Sequence, residues 1–251
     1  TVCFDTSAGA WKVWDGDIWN QSLFNHSGAV NVKDYGALCN GSTDDTTAFQ
    51  AAINSGAGRV LVPQGKCRIS SGPLVMRKAV SVIGIGTLPG SSPSGTGQEF
   101  KSVIEHNYNG HLFAILGVSG QVTQSNGYGF ENLVLQNVAG SGTGQQGAAI
   151  YAEYTNATTV PTWIRIRNLN IEIASGADEW SHGIRLEGGT AADQPLRNVW
   201  IDNCRIAIGA NGSAAIRLVN IGNAFIRATQ QSGTNSNLEI TGSAGALSSS
   251  I

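Results

Sequence analysis

From Phe130 onward the sequence repeats itself at a spacing that only a stacked architecture accommodates. One set of short apolar segments opens on asparagine: Asn132-Leu-Val-Leu135, Asn168-Leu-Asn-Ile171 and Asn198-Val-Trp-Ile201, at intervals of 36 and 30 residues. A second set lies between them, Ala149-Ile-Tyr-Ala152, Gly183-Ile-Arg-Leu186 and Ala215-Ile-Arg-Leu218, at intervals of 34 and 32. A unit of this size holds two short strands and cannot bury a core alone, so successive units must stack as the coils of a solenoid. Asn223–Ile226 and Asn237–Ile240 continue the winding. In this register Leu133, Leu169 and Val199 point inward as one column, and Ile150, Ile184 and Ile216 as another. Asn132, Asn168 and Asn198 are expected to form a turn ladder, their amides bonded from coil to coil.

The composition agrees with a turn-rich β protein: 33 of 251 residues are glycine and only 13% are charged. Ahead of the repeat, apolar runs at Val60–Val62, Val80–Ile85, Val103–Ile104 and Leu112–Leu116 read as further strands. Gly84 and Gly86 lack the helix of a dinucleotide fingerprint, and Gly140 to Gly147 lacks the lysine of a phosphate loop, so both read as turns. A net charge of −2 without basic clusters argues against a nucleic-acid partner or an anionic membrane surface. No apolar run is long enough for membrane insertion, and no basic-then-apolar leader opens the chain; a soluble chain is expected. Because it starts at Thr1 and its one methionine is Met76, a processed product or a piece of a longer chain is expected.

Between Val30 and Ile53 lies VNVKDYGALCNGSTDDTTAFQAAI. Asn31 to Tyr35 alternates as an edge strand does, and Gly36 and Asn40-Gly41 turn the chain away. A short helix over Asp44–Asn54 follows, capped by Thr43 or Asp44, with Asp44 and Asp45 at the positive end of its dipole and Phe49, Ala52 and Ile53 on one face. Such a helix must cover exposed apolar backbone, and strands come next; it is expected to plug the open end of a sheet.

The wording V-x-D-Y-G-A, then G-x-T-D-D-T-x-A-F-Q-A-A-I, then Val60-Leu61-Val62-Pro63-x-Gly65 and Ile69, is similar to the opening of pectate-lyase-like β-helices, above all bacteriophage tailspikes. It departs at Cys39-Asn40 and at Cys67. The resemblance implies an all-β fold, a right-handed parallel β-helix over residues 30–251 with a short N-terminal capping helix. Residues 1–29, with Trp11, Trp14, Trp19 and Phe24 around an Asp15-Gly16 turn, would form a hairpin serving as neck or flap. The resemblance further implies a homotrimer in the virion tail that recognises and depolymerises a bacterial capsule or lipopolysaccharide glycan, with other tail proteins contacted through the N-terminal segment. A non-catalytic adhesin or structural tail protein, and a secreted pectin- or glucan-active enzyme, are the alternatives. Cys39 and Cys67 flank the cap, where a pairing is the alternative, but virion proteins assemble in a reducing cytoplasm, so Cys3, Cys39, Cys67 and Cys204 are expected as free thiols. No cofactor and no metal site are expected, because no His, Cys or carboxylate cluster has ligand spacing.

In the second strand set the residues between inward positions face solvent, which stacks Tyr151, Arg185 and Arg217 in one column and Glu153, Glu187 and Val219 in the next. Coils about 4.8 Å apart bring Glu153 and Glu187 together. Two readings follow. A carboxyl pair can serve as acid and partner in glycoside hydrolysis, with like charge raising one pKa, or it is a charge ladder balanced by Arg185 and Arg217. Asp178 and Glu179, in the loop Ala177-Asp-Glu-Trp-Ser-His182, are further catalytic candidates. Trp180 and Trp200 suit sugar stacking, with packing of the loop onto the β-helix as the alternative role of Trp180, and His182, Arg185, Arg217 and Tyr151 suit substrate contact. A lyase would use Arg185 or Arg217 instead, with a neutralising cation.

Overall fold

The computed structural model describes residues 2–5, 10–14, 19–20, 28–86, 101–116, 127–140, 145–153, 163–189, 196–227, 229–232 and 237–241. Apart from a small antiparallel sheet of Val2–Asp5, Ala10–Trp14 and Trp19–Asn20, every strand pair is parallel. The chain winds as a right-handed parallel β-helix with three faces. Face A carries Ala29–Asn31, Arg59–Val62, Ser81–Gly84, the first halves of Tyr128–Asn137 and Ile164–Ile173, then Val199–Asp202 and Ala224–Arg227. Face B carries Asn40–Asp44, Gly65–Ile69, Ser102–His106, the second halves of the two long strands, Arg205–Ala207 and Gln230–Ser232. Face C carries Leu74–Met76, Phe113–Ile115, Gln145–Glu153, Glu179–Glu187, Ala214–Val219 and Leu238–Thr241.

Alternation of side chains along each strand fills the interior with columns one residue wide. On face C, Leu74, Phe113, Ile150, Ile184 and Ile216 stack in register, all fully buried. On face B, Cys67, Ile104, Leu135, Ile171 and Ile206 do the same. Val60, Val82, Phe130, Ile166 and Ile201 complete the core on face A.

The corner between faces A and B is made by single residues in the left-handed region, Asn132, Asn168 and Asn203 at φ 58°, 53° and 51°. Asparagine tolerates that conformation better than most residues, and here its amide also bonds the next coil. Asn168 Nδ2 donates to Asn132 Oδ1 at 2.9 Å, and Asn203 Nδ2 donates to Asn168 Oδ1 at 2.8 Å. The ladder is therefore as expected in kind, but its third rung is Asn203. Asn198 precedes the face A strand, where Val199 pairs with Ile164 rather than with Leu169, and it receives a bond from Asn223 at 3.1 Å. Gly84 is no turn; it ends a face A strand, where a Cβ would stand 2.0 Å from the Asn132 carbonyl oxygen. Gly147 likewise lies within a face C strand.

Helix α1, Thr46–Asn54, buries Phe49, Ala52 and Ile53 and lies against the first face C strand. Gln50 completes the closure: its Nε2 donates to Val75 O at 2.9 Å and its Oε1 accepts from Val75 N at 2.8 Å. One side-chain amide thus satisfies the strand edge that a preceding coil would have paired. The cap differs from expectation in detail. Residues Val32–Tyr35 form a 3₁₀ turn rather than strand, entered through an Asn31–Asp34 capping box. Asp45 stands at the helix N-cap position without capping it; its carboxylate accepts the backbone N–H groups of Leu38, Cys39 and Arg68. Asp44 receives Thr46 and Ser70 N–H groups and the Thr46 and Ser71 hydroxyls, which outweigh desolvation and lower its pKa. Cys39 and Cys67 are not free thiols. They form a disulfide pinning the cap to the first face B coil, because the strand entry of Asn40 beside Lys66 brings them together. Buried Cys204 is a free thiol, and Cys3 is outside the residues whose side chains are described. The expected hairpin at the N-terminus is present in backbone, Val13 pairing with Asn20 and Trp14 with Trp19. Its Asp15-Gly16 turn, and Phe24, lie outside the described residues.

Replacing both Cys39 and Cys67 by serine reopens a loop with a sequence separation of 28. The expected loss is about 3–4 kcal/mol, read by denaturant unfolding against the oxidised parent, with the difference vanishing when the parent is reduced.

Candidate functional site

Face C carries most of the sequence-derived candidates, and the register between its strands is as expected. Tyr151 pairs with Arg185 and Arg185 with Arg217, while Glu153 pairs with Glu187 and Glu187 with Val219. The ladder continues one rung further, Arg217 beside Glu239. Glu187 is 9% exposed and sits between two guanidiniums. Arg185 reaches it through Nε at 2.9 Å and Nη2 at 3.1 Å, and Arg217 through Nε at 2.9 Å. Arg217 Nη1 pairs with Glu239. Burial alone would raise the Glu187 pKa, but the hydrogen bonds and charges of Arg185 and Arg217 prevail and lower it. Glu187 is therefore not the raised carboxyl that crowding within the pair was expected to create. Glu153 takes the Tyr151 hydroxyl as donor.

Two imidazoles complete the face. His182 is 7% exposed, and desolvation, reinforced by Arg185 and Arg217, lowers its pKa to about 4; it is neutral at pH 7. His111 stacks on the Tyr151 ring with centroids 3.9 Å apart and planes parallel, while Arg185 stands 5.5 Å from the centroid of the same ring. The Ala148 N–H donates to His111 Nδ1 at 2.8 Å, so the neutral ring carries its proton on Nε2. Burial, then Arg185, lowers the His111 pKa as well. His111 and Glu239 went unnoticed in the sequence. The signal available was position: His111 stands two residues before Phe113, which shares the Ile150 column.

The expected loop at 177–182 is in large part strand, since Glu179–Glu187 belongs to face C, and its candidates Asp178, Glu179 and Trp180 have structural roles. Trp180 is fully buried and its Nε1 donates to Glu172 O at 3.0 Å, so it is no stacking platform. It packs on buried His106, whose Nδ1 lies 2.7 Å from Asn137 Oδ1 and whose pKa burial lowers to about 4. Glu179 accepts the N–H groups of Ala210 and Asn211 and fixes that turn. Asp178 is buried beside Gly140, and its carbonyl accepts Asn137 Nδ2 at 2.6 Å. Trp200 is exposed, but on face A, stacked on Phe225 at 4.3 Å. On face B a second polar column is buried: Glu105 between Lys66 and Arg68, and Glu172 receiving Gln136 and Asn170. Among the described residues, the one group of possible metal ligands is Cys39, Asp45 and Cys67, and the disulfide consumes two of them.

The family whose model is described as rhamnogalacturonase A/epimerase, pectate lyase-like, matches residues 29–246. The chain belongs to this family. Among curated relatives of this pectate lyase-like chain, alginate lyase 7 and mannuronan C5-epimerase AlgE3 of Azotobacter vinelandii are each 42% identical over 66 residues, 22% of this chain and 8% and 4% of theirs. Among solved structures, the tailspike protein of Acinetobacter phage vB_ApiP_P1 superposes with a TM-score of 0.59 at 13% identity, over 94% of this chain and 46% of that one. The chain thus spans less than half the length of that tailspike and a small fraction of the curated relatives.

Because the folded-state pKa values of His182 and His106 are depressed below the usual 6.5, their neutral native forms resist protons that the unfolded chain binds. Their contribution to stability is complete above pH 6.5 and is lost as pH falls toward about 4. Thermal unfolding is expected to drop across that window. His182→Gln should flatten part of the drop, as read by calorimetry at stepped pH.

Proposed function

We propose that the chain is the glycan-engaging β-helix of a tailspike-type protein that cleaves an acidic bacterial surface polysaccharide along face C by elimination. The observation that carries this is the double-arginine clamp. Arg185 and Arg217 hold Glu187 as a carboxylate, yet Arg185 Nη1 and Arg217 Nη2 take no hydrogen-bond partner among the described residues. These free edges suit the carboxylate of a uronic acid. Neutralising that carboxylate acidifies the hydrogen on the adjacent ring carbon, C5. A base removes the proton, the C–H electron pair becomes a C4–C5 double bond, the bond from C4 to the glycosidic oxygen breaks, and that oxygen takes up a proton.

The proton-transfer groups on the face are Tyr151, whose hydroxyl is bonded to Glu153, and the neutral His182 and His111. Glu187, kept ionised, has no proton to give a leaving oxygen, so the carboxyl pair suits hydrolysis less well. The family membership and the relatives named for alginate and mannuronan, both acidic polysaccharides, support the same class of substrate. The tailspike reading rests on the cap wording at Val30–Ile69 and agrees with the fold. With it go a homotrimer, a place in the virion tail, and attachment through residues 1–29.

The full-length protein is expected to release products absorbing as unsaturated uronates from an acidic capsule or lipopolysaccharide. Arg217→Ala should lower the rate about 10²-fold or more. Reducing ends without unsaturation would restore Glu153 and Glu187 as a hydrolytic pair, tested by changing each to glutamine; binding without cleavage would make the protein an adhesin.

A further inference from the structure

Face A presents a cleft that the chemistry of face C does not use. Its cavity of 830 Å³ is lined by Arg59, Ser81, Gly129, Arg165 and Trp163 among others, and Glu131 stands at one side. Register explains the shape. Arg59, Ser81, Gly129, Arg165 and Trp200 follow one another in a single outward column, one per coil. Two small residues therefore lie between two arginines, which are three coils or about 14 Å apart. Gly129 allows the coils to close up here, since a Cβ would stand 2.4 Å from Ser81 Oγ. At Gly127 a Cβ would stand 2.4 Å from that of Trp163. The floor is thus low where the ends are high.

The charge of the cleft is unbalanced. Glu131 is already paired with Arg167 in the neighbouring column, whereas Arg59 and Arg165 are exposed and neither guanidinium has a partner among the described residues. Trp163 is 43% exposed and lines the cleft beside Arg165, a large aromatic surface left in water near cationic groups; Trp200, one coil beyond Arg165, is stacked on Phe225 and does not line it. Unpaired guanidiniums bind carboxylates bidentately and indole faces pack on the C–H faces of pyranose rings. A long cleft combining both, with a floor of small residues, is built for a chain of acidic sugars.

The geometry points to face A as a second glycan site, separate from face C, that grips an anionic oligosaccharide through Arg59 and Arg165 with Trp163 as a ring platform. The inference rests on the reading of the protein as glycan-engaging, and it assigns the cleft to holding polymer rather than to cleaving it. Full-chain protein titrated with oligosaccharides of alginate and of polygalacturonate, with dextran as the neutral counterpart, tests it by tryptophan fluorescence and calorimetry. At least one acidic oligosaccharide should bind in a salt-sensitive manner and dextran should not. Arg59→Ala/Arg165→Ala should weaken binding about tenfold or more, Trp163→Ala should weaken it with melting temperature kept, and Arg217→Ala on face C should retain it. No binding of either acidic probe, equal binding of dextran, or undiminished binding by the double variant would overturn the site. So would a loss of oligomer mass in the double variant, which would make the cleft a contact between copies. If the double variant binds as the parent does while Arg217→Ala abolishes cleavage, face A falls and face C stands; the opposite pattern leaves face A standing without face C.

Discussion

A parallel β-helix has an end, and at that end a row of backbone N–H and C=O groups has no coil to pair with. Every coil takes its order from the one before, so the first coil must be satisfied by something other than sheet. Here the answer is a set of side chains acting as backbone. The Gln50 amide pairs both ways with Val75, and the Asp45 carboxylate collects three N–H groups from two segments. Helix α1 exists to deliver Gln50 and to lay Phe49 and Ile53 on the core, and the Cys39–Cys67 disulfide holds that arrangement against the first coil.

Above the cap, each strand divides its residues between one inward column and one outward column, and the outward columns differ in how charge is settled. On face C, guanidiniums outnumber what Glu187 needs and depress its pKa, while burial, reinforced by Arg185 and for His182 also by Arg217, lowers the pKa of two imidazoles. On face B, Glu105 and Glu172 are buried and satisfied by Lys66, Arg68, Gln136 and Asn170. On face A, Arg167 and Arg227 pair with Glu131 and Asp202, whereas Arg59 and Arg165 stand in water without partners among the described residues. Identical backbone thus carries three surfaces whose chemistry is set by the residue at one position per coil.

Much of this was readable before any coordinates. The column Ile150, Ile184, Ile216 fixed the face C register, and with it the neighbours of Arg185 and Glu187, because an inward isoleucine leaves its flanking residues no choice of side. The first strand set failed at its third member for an equally physical reason. Both Asn198 and Asn203 precede apolar residues and both adopt φ above 50°, so wording alone could not say which one turns the corner beneath Asn168. The wording around Trp180 reads as a loop, where stacking on sugar is open to it, yet the residue belongs to the face C strand Glu179–Glu187, with its ring packed on His106 and its Nε1 donating to Glu172 O. The disulfide was hidden by an argument about compartment, where the proximity of Cys39 to Cys67 was the relevant quantity. His111 and the face A cleft depend on coils far apart in sequence, and no local pattern announces them.

The asparagine corners and the coil length of some 35 residues also bear on how the chain comes to be folded. Nearly every strand pair joins residues separated by a whole coil, so the sheet offers few short-range contacts to start from, and topologies of that kind fold slowly. The cap is the exception: helix α1 and the 3₁₀ turn are local, and the disulfide then ties them across a separation of 28 residues. The cap is also made before the coils during synthesis. Gln50 and Asp45 leave the capped side no free backbone to pair, so a stack of this kind can add coils only at its other side.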